Sequence, residues 1–536
     1  MRATIRPLID LAALITLSLA LTACGGSGSG GGTGPTTPQG PQATASCSVQ
    51  STVDIQPGQT AALTAEQAAC FKLAPHAGAR YALAGFDARA IEGARGGPEP
   101  VLASDPVYVV GDGSAATPTV VSGNRAPAPA GPGDMHVRAE ITSDPYSPFS
   151  RATPWKTGER FTLKRFDTSP ATAKVVKVIG RYVFALVEAD EESHTGKLMD
   201  DTETALEYLQ REGFAVMDRV WGGAEPATSQ GSGQMLIVFG AWNIADGAGA
   251  TTTYGAPDGS GIGSFVWLNL NARPGVGTGF NMIDVPSYRL KVLAHELTHA
   301  WQARYAYDSQ PAGPRSVAFG PAWATEGTAD LVAMDIVRRS LGVSLTSNWN
   351  WQDRLRAPNP GITFAMQPTD TRGRVSRGYA DAASFLQDVE VRMARRGVAA
   401  DEALAQVARG AMEGWYGTDA AGVRRQGLSN RVRAVLGAGW EPADAVLLWT
   451  LTQAADDQTD FAELNNPVYD HAADPGSDWA WKAALDEVQP GQAFAYQVQR
   501  TAGSSFFVRV KDGGSGGTVS LSASVGGTRW MIARLK

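Results

Sequence analysis

Two histidines and a glutamate stand within one helical turn of each other in the stretch His295-Glu296-Leu297-Thr298-His299. Side chains four positions apart on an α-helix share a face, with Cβ atoms about 5–6 Å apart, so both imidazoles can reach one metal ion. The glutamate between them is placed to act on a water at that metal rather than to bind the metal. The stretch therefore predicts a metal site with its own general base.

A helix must position these side chains. Pro286 suits its first turn, with Asp284 or, less well, Ser287 as the cap. Apolar residues then recur at helical spacing and predict a buried stripe, while His295 and His299 project elsewhere. The members of this stripe are Leu290, Leu293, Leu297 and Trp301.

A second helix, opened by Pro321, can complete the ligand set. A catalytic zinc needs three protein ligands and one open position. Glu326 and Asp330 are four apart on this helix and share a face. One carboxylate can therefore bind the metal while the other holds a histidine ligand by its second ring nitrogen.

The two motifs resemble those of the gluzincin metallopeptidases, including the thermolysin-like and hyicolysin-like enzymes. These carry His-Glu-x-x-His on one helix and a glutamate ligand on a later one, often within Trp-x-x-Glu-Gly or Glu-x-x-x-Asp. The resemblance covers roughly residues 200–390, and its specificity lies in the two motifs. It implies zinc ligands at His295, His299 and Glu326, a general base at Glu296, and a partner for a histidine ring at Asp330.

The oxyanion donor departs from the thermolysin-like pattern. Those enzymes use a histidine downstream of the glutamate ligand, but only His471 follows Glu326 here, in a stretch typical of a loop. Other gluzincins use a tyrosine on a later helix, and Tyr379 stands at a predicted helix start. Its phenol could donate to a tetrahedral intermediate. A tyrosine that merely packs at a helix end is the open alternative.

Two neighbouring peptidase classes fit less well. Gly327-Thr328-Ala329-Asp330 looks like the first half of the aspzincin motif, but Ala333-Met334 stand where that motif has Tyr-Gly. Glu326 is therefore the preferred ligand, with Asp330 as the alternative. The stretch Gly240-Ala241-Trp242-Asn243 lacks the glutamate with which aminopeptidases hold a free amino terminus, so an endopeptidase is favoured.

Strands are predicted ahead of the metal-binding helix. The segment 235–239 is typical of a buried strand, and 264–270 alternates like a half-exposed one. Between them, 243–263 is rich in Gly, Thr and Asp and predicts a long loop. The resemblance places 264–270 beside the cleft, where it would pair with extended substrate; an ordinary edge strand is the alternative.

The first residues predict export. Arg2 and Arg6 precede a short apolar run and then Leu21-Thr22-Ala23-Cys24, which resembles the bacterial lipobox, with Cys24 as the lipidated residue. Gly25 after it is typical of outer-membrane sorting. We therefore expect a protein of the bacterial cell envelope, lipid-anchored or secreted. In an exported chain, Cys47 and Cys70 are expected to form a disulfide.

The net charge of −7, without a basic block, argues against nucleic acid as a partner. The ends of the chain are rich in short strand-like runs. The predicted parts are a lipoprotein signal peptide at 1–23, a flexible tether at 24–46, a β-rich module and linker at 47–133, a metallopeptidase domain at 134–475 and a β-rich module at 476–536.

Together these features predict an α+β protein, in which a gluzincin-type domain with a small mixed sheet and a helical subdomain is flanked by small β-rich modules. The expected function is a Zn²⁺-dependent endopeptidase acting on protein or peptide substrates, with a membrane contact through the lipid at Cys24. The alternative is a non-enzymatic, surface-anchored binding or adhesion protein on a peptidase scaffold. Glu296 favours the enzyme, since a scaffold needs no general base.

Overall fold

The fold is given by a computed structural model, which describes most of the chain beyond residue 50. The described residues are 51–92, 106–111, 119–122, 153–164, 169–191, 195–223, 226, 232–241, 249–255, 262–270, 286–309, 322–342, 375–417, 427–455, 464, 494–499, 505–511, 516–523 and 527–536.

The described chain is a mixed α+β protein, as predicted at this coarse level. Its strands are β1 (Ser51–Val53), β2 (Thr60–Leu63), β3 (Phe71–Leu73), β4 (Arg80–Asp87), β5 (Pro106–Gly111), β6 (Thr119–Ser122), β7 (Arg160–Lys164), β8 (Pro170–Ile179), β9 (Tyr182–Val187), β10 (Met235–Gly240), β11 (Gly249–Gly255), β12 (Ile262–Asn269), β13 (Phe494–Gln499), β14 (Ser505–Lys511), β15 (Thr518–Ala523) and β16 (Thr528–Arg534).

The helices lie mainly between the sixth and thirteenth strands. They are α1 (Ala65–Ala69), α2 (Arg89–Glu92), α3 (Thr195–Tyr208), α4 (Phe214–Trp221), α5 (Pro286–Asp308), α6 (Ala322–Leu341), α7 (Val375–Arg395), α8 (Ala400–Met412), α9 (Leu428–Leu436) and α10 (Pro442–Ala455). Among the described helices, none combines the length and apolar character needed to cross a membrane.

A six-stranded mixed sheet packs against α5, the helix that contains His295 and His299. Its order is β11-β12-β10-β9-β8-β7. β12 and β9 both run parallel to β10, whereas β11 pairs with β12 antiparallel. The strands predicted at 235–239 and 264–270 are therefore confirmed as β10 and β12. The loop predicted at 243–263 is wrong in part, because it contains β11.

The interior strand β12 is buried on both faces of this sheet, and its successive side chains point to opposite sides, whereas β8 near the other end of the sheet alternates buried with exposed or half-buried residues. On β12, Val266 and Leu268 join the main core with the helices, while Phe265 and Trp267 join a second core on the other face. β12 is buried along its whole length, so the prediction of a half-exposed strand at this position is wrong. α5 packs against β11 and β12, and α6 packs against both α5 and α7.

The β-rich stretches at the two ends of the chain share their sheets. One sheet has the order β1-β3-β15-β5-β13-β6 and the other the order β14-β4-β16-β2, so each contains strands from both ends. The predicted modules at 47–133 and 476–536 are therefore separated in the prediction although their strands pair with one another. All described elements belong to one compact unit that spans 43–536.

The smaller of these sheets is covered on both faces. Tyr81 and Leu83 of β4 point into a core that this sheet shares with the β1-β3-β15-β5-β13-β6 sheet. The alternating residues Ala84 and Phe86 point into the main core, where α10 packs against β4. This β4 sheet therefore connects the end strands to the helical region.

Candidate metal centre

The helix predicted around the histidine pair is present as α5, and it begins at Pro286. The predicted stripe of Leu290, Leu293, Leu297 and Trp301 is buried in the main core, which confirms that prediction. His295 and His299 are buried as well. Their rings lie edge to face, 4.7 Å apart between centroids. The apolar stripe therefore holds the helix in place while the histidines face α6.

Three donor atoms from α5 and α6 converge. The Nε2 atoms of His295 and His299 lie 3.1 Å apart. Glu326 Oε2 lies 3.3 Å from the first of these nitrogens and 3.5 Å from the second. These buried groups could hold a metal ion.

The second ring nitrogen of His295 faces Asp330, one turn beyond Glu326 on α6. Nδ1 lies 2.7 Å from Asp330 Oδ1, and because an ionised carboxylate only accepts hydrogen bonds, Nδ1 is the donor. Lys291 Nζ lies 2.6 Å from the same oxygen. Asp330 is therefore on the Nδ1 side of the His295 ring and Glu326 is on its Nε2 side, the arrangement that the resemblance implies.

His299 has its own partner on α5. Its Nδ1 lies 2.6 Å from Gln302 Oε1. The Gln302 amide nitrogen donates to the Thr325 carbonyl and to the Thr328 hydroxyl, at 2.8 and 2.7 Å. A carbonyl can only accept, so the amide oxygen must face His299 and Nδ1 of that ring is the donor.

These outer hydrogen bonds turn both Nε2 atoms toward Glu326. With a proton on each Nδ1, the Nε2 lone pairs are directed at the same small volume as the Glu326 oxygen. Tetrahedral zinc, with bonds of about 2.0–2.2 Å, places its ligand atoms about 3.3 Å apart. The three observed separations of 3.1, 3.3 and 3.5 Å bracket that value, so the donor set fits such an ion.

The charges around the site are strongly coupled. Burial lowers the pKa of His295, but its contacts with Asp330 and Glu326 outweigh this and raise the pKa to about 10. Burial raises the pKa of Asp330, yet Lys291 and His295 lower it to about 2. A metal ion at His295 Nε2 would therefore compete with a proton for that atom.

Glu296 follows His295 on α5, but its side chain contacts a different element. The Thr251 hydroxyl of β11 lies 2.8 Å from Glu296 Oε2 and 2.6 Å from the Glu296 backbone carbonyl. Gly249, two residues earlier on β11, approaches the same side chain so closely that a Cβ there would lie 2.8 Å from Glu296 Cγ. The carboxylate is thus buried against the strand.

In the described part of the chain, β11 is the end strand of the central sheet, whereas β12 has a neighbour on each side. The predicted role of 264–270 as the strand that pairs with substrate is therefore wrong for β12, because its backbone hydrogen bonds are taken by β10 and β11.

Comparison with protein-family models and with curated proteins finds no match for this chain.

Several predicted positions fall outside the described parts. Tyr379 lies in the second turn of α7, but its side chain is not among those described. The lipidation site at Cys24 lies outside the described residues. Cys70 is buried and takes part in a disulfide bond. Cys47 is outside the described residues, so its pairing with Cys70 stays a prediction.

Four residues around the site are not predicted by the sequence motifs. Lys291 stands four before His295 and Gln302 three after His299, so helical spacing could have revealed both. Gly249 and Thr251 come from a separate strand, and no local pattern relates them to Glu296.

Proposed function

We propose that this protein is a zinc endopeptidase of gluzincin type that hydrolyses peptide bonds in proteins or peptides. The observation that carries the proposal is the division of roles in the site. His295, His299 and Glu326 converge on one point, while the adjacent Glu296 is not in this donor set and contacts Thr251 instead. A purely structural metal site takes four protein ligands and needs no adjacent carboxylate.

Each residue has a task in hydrolysis. A bound zinc ion would polarise the attacking water and the scissile carbonyl. Glu296 accepts the proton of the water and passes it to the departing amine. Asp330 and Gln302 keep the imidazoles in the tautomer that directs Nε2 at the metal, and so orient the ligands without touching the substrate.

Tyr379 is proposed as the donor to the oxyanion. Ala382, one turn later on α7, lies against Gly327 of α6, where a Cβ on the glycine would meet the alanine Cβ at 2.6 Å. Gly327 directly follows Glu326. Tyr379 is thus about one helical turn along α7 from Ala382, the residue that packs against Gly327 beside the proposed ligand Glu326.

β11 replaces 264–270 as the proposed substrate strand. An extended peptide could add to the end of the central sheet through backbone hydrogen bonds. Thr251 and Gly249 on this strand contact Glu296, so a peptide paired there would lie beside the proposed general base. The lipid anchor at Cys24, and with it the envelope location, is proposed from the sequence alone.

The decisive experiment compares Glu296→Gln with the wild-type chain, both loaded with zinc. We expect equal metal content, because the ligands are unchanged, and a loss of about 10²–10⁴-fold in turnover of a quenched peptide library, because proton transfer is lost. Chelation should abolish the wild-type activity, and added zinc should restore it.

Two outcomes would contradict the proposed enzymatic function or the role of Glu296 in it. Near-wild-type turnover in Glu296→Gln would remove the general base assignment. A wild-type chain that binds zinc stoichiometrically but cleaves no library peptide would favour the alternative of a binding or adhesion protein.

A further inference from the structure

We propose that Thr251 is a positioning residue that holds the Glu296 carboxylate beside the metal centre. The inference rests on the proposed function, since it gives Glu296 the role of general base. It adds that the placement of this base is set by β11, a strand 45 residues away in sequence, and not by the metal-binding helix alone.

The first observation is the hydroxyl contact. Thr251 Oγ1 lies 2.8 Å from the carboxylate Oε2 and 2.6 Å from the backbone carbonyl of Glu296, so its single proton is shared between these two acceptors, and the side chain is buried. A glutamate has three rotatable side-chain bonds, so a helix alone leaves its carboxylate several rotamers. A hydrogen bond to a fixed strand selects one of them.

The second observation is the close approach at Gly249. A Cβ at this position would lie 2.8 Å from Glu296 Cγ, 3.0 Å from Oε1 and 3.1 Å from Val292 Cγ1. Since side chains two apart on a strand share a face, Gly249 and Thr251 meet the glutamate together. Gly249 leaves space for the Glu296 side chain, and Thr251 supplies a hydrogen bond to its carboxylate.

The strand itself is well anchored. β11 pairs with β12 from Gly249 opposite Leu268 to Gly255 opposite Ile262. Two residues beyond Thr251, Thr253 is also buried, and its hydroxyl lies 2.9 Å from the Ser264 hydroxyl. Thr253 is thus a matched control: it has the same residue type, strand and burial, but its hydrogen bond goes to β12 and not to Glu296.

The test compares Thr251→Val, Thr251→Ser and Thr253→Val as zinc-loaded full chains. Valine keeps the shape of threonine but removes the hydroxyl. We expect Thr251→Val to lower kcat about tenfold with KM within about twofold, because displacement of a catalytic group slows the chemical step. Thr251→Ser should recover most of kcat, and Thr253→Val, on the same strand but without a contact to Glu296, should lower kcat less than Thr251→Val does. All variants should bind zinc stoichiometrically.

A crystal structure of each zinc-loaded variant supplies a readout that needs no activity. The Glu296 carboxylate should be displaced or split between rotamers in Thr251→Val, and should remain in place in Thr251→Ser and Thr253→Val. An undisplaced carboxylate in Thr251→Val would overturn the inference, as would equal kcat losses in Thr251→Val and Thr253→Val. An inactive wild-type chain would count against the proposed function, while the structures would still decide the role of Thr251.

Discussion

At the scale of single residues, one carboxylate oxygen contacts two cationic side chains on the outer side of the candidate metal centre. Asp330 Oδ1 lies 2.7 Å from His295 Nδ1 and 2.6 Å from Lys291 Nζ. Lys291 is only 2 % exposed and Asp330 is fully buried. A buried ammonium group is tolerated only when it is paired, so Lys291 balances the charge of Asp330 in the interior.

This pair predicts a stability effect that depends on metal. Lys291→Met should destabilise the metal-free protein by up to about 3–5 kcal/mol, because it removes one of the two cationic groups that contact the buried Asp330 carboxylate and leaves only His295. Zinc would restore positive charge nearby, so its addition should stabilise this variant more than the wild-type chain. Denaturant unfolding with and without zinc measures both effects.

The control for this prediction is Lys197→Met. Lys197 forms an exposed i,i+4 pair with Asp201. Loss of such a pair costs about 0.5 kcal/mol or less, with or without zinc. If zinc stabilised Lys291→Met and the wild-type chain equally, the proposed charge balance would be contradicted.

At the scale of elements, one helix carries most of the centre and its neighbours complete it. α6 contributes Glu326 and Asp330, and β11 contributes the contact to the proposed base. The residues from α5 are Lys291, His295, Glu296, His299 and Gln302.

The contact between α6 and α7 also contains a titratable group away from the centre. Burial and the nearby Asp335 carboxylate raise the pKa of Glu390 on α7 to about 8, although Arg338 and Arg339 oppose this. The folded state therefore keeps a proton that the unfolded chain releases near its ordinary pKa of 4.5. Stability contributed by this group is present below pH 4.5 and is lost as the pH rises toward 8.

Glu390→Gln should remove that pH dependence. The variant should match the wild-type chain near pH 4.5 and be the more stable of the two at pH 8, because its amide stays neutral. Free energies of unfolding from denaturant titrations across this range provide the measurement. Glu402→Gln, at an exposed position of α8, serves as the control. Parallel stability curves for Glu390→Gln and wild type would refute the prediction.

At the scale of the whole molecule, the two ends of the chain depend on each other. β4 lies between β14 and β16, so both of its neighbours come from the C-terminal stretch. Phe507 and Met531 of those strands also contribute to the main core. The helical region and the end strands are thus parts of one packed structure.

Truncation after residue 475 should therefore unfold the N-terminal strands, although it follows a boundary predicted from sequence. It removes β13 to β16 and leaves β4 without either neighbour, exposing the apolar residues on both of its faces. Limited proteolysis should cleave the truncated chain within 51–122 under conditions in which the full chain resists. A protease-resistant N-terminal fragment would show that this stretch folds independently.

Residue order alone was enough to locate α5 and α6 and to select the candidate ligands, because spacing on a single helix follows from 3.6 residues per turn. Local spacing did not decide whether Glu326 or Asp330 is the third metal ligand, because both residues share one face of α6. Packing of α6 on α5 places Glu326 at the Nε2 atoms and Asp330 at Nδ1 of His295.

Local pattern also failed where the structure depends on pairing between distant segments. The Gly/Thr-rich stretch around Thr251 predicts a loop, yet β12 supplies the hydrogen bonds that make it a strand. The strands at the two ends are recognisable one by one, but their partners lie hundreds of residues away. Helical spacing is set within a few residues, whereas strand pairing and the site contacts across elements arise only when the chain folds.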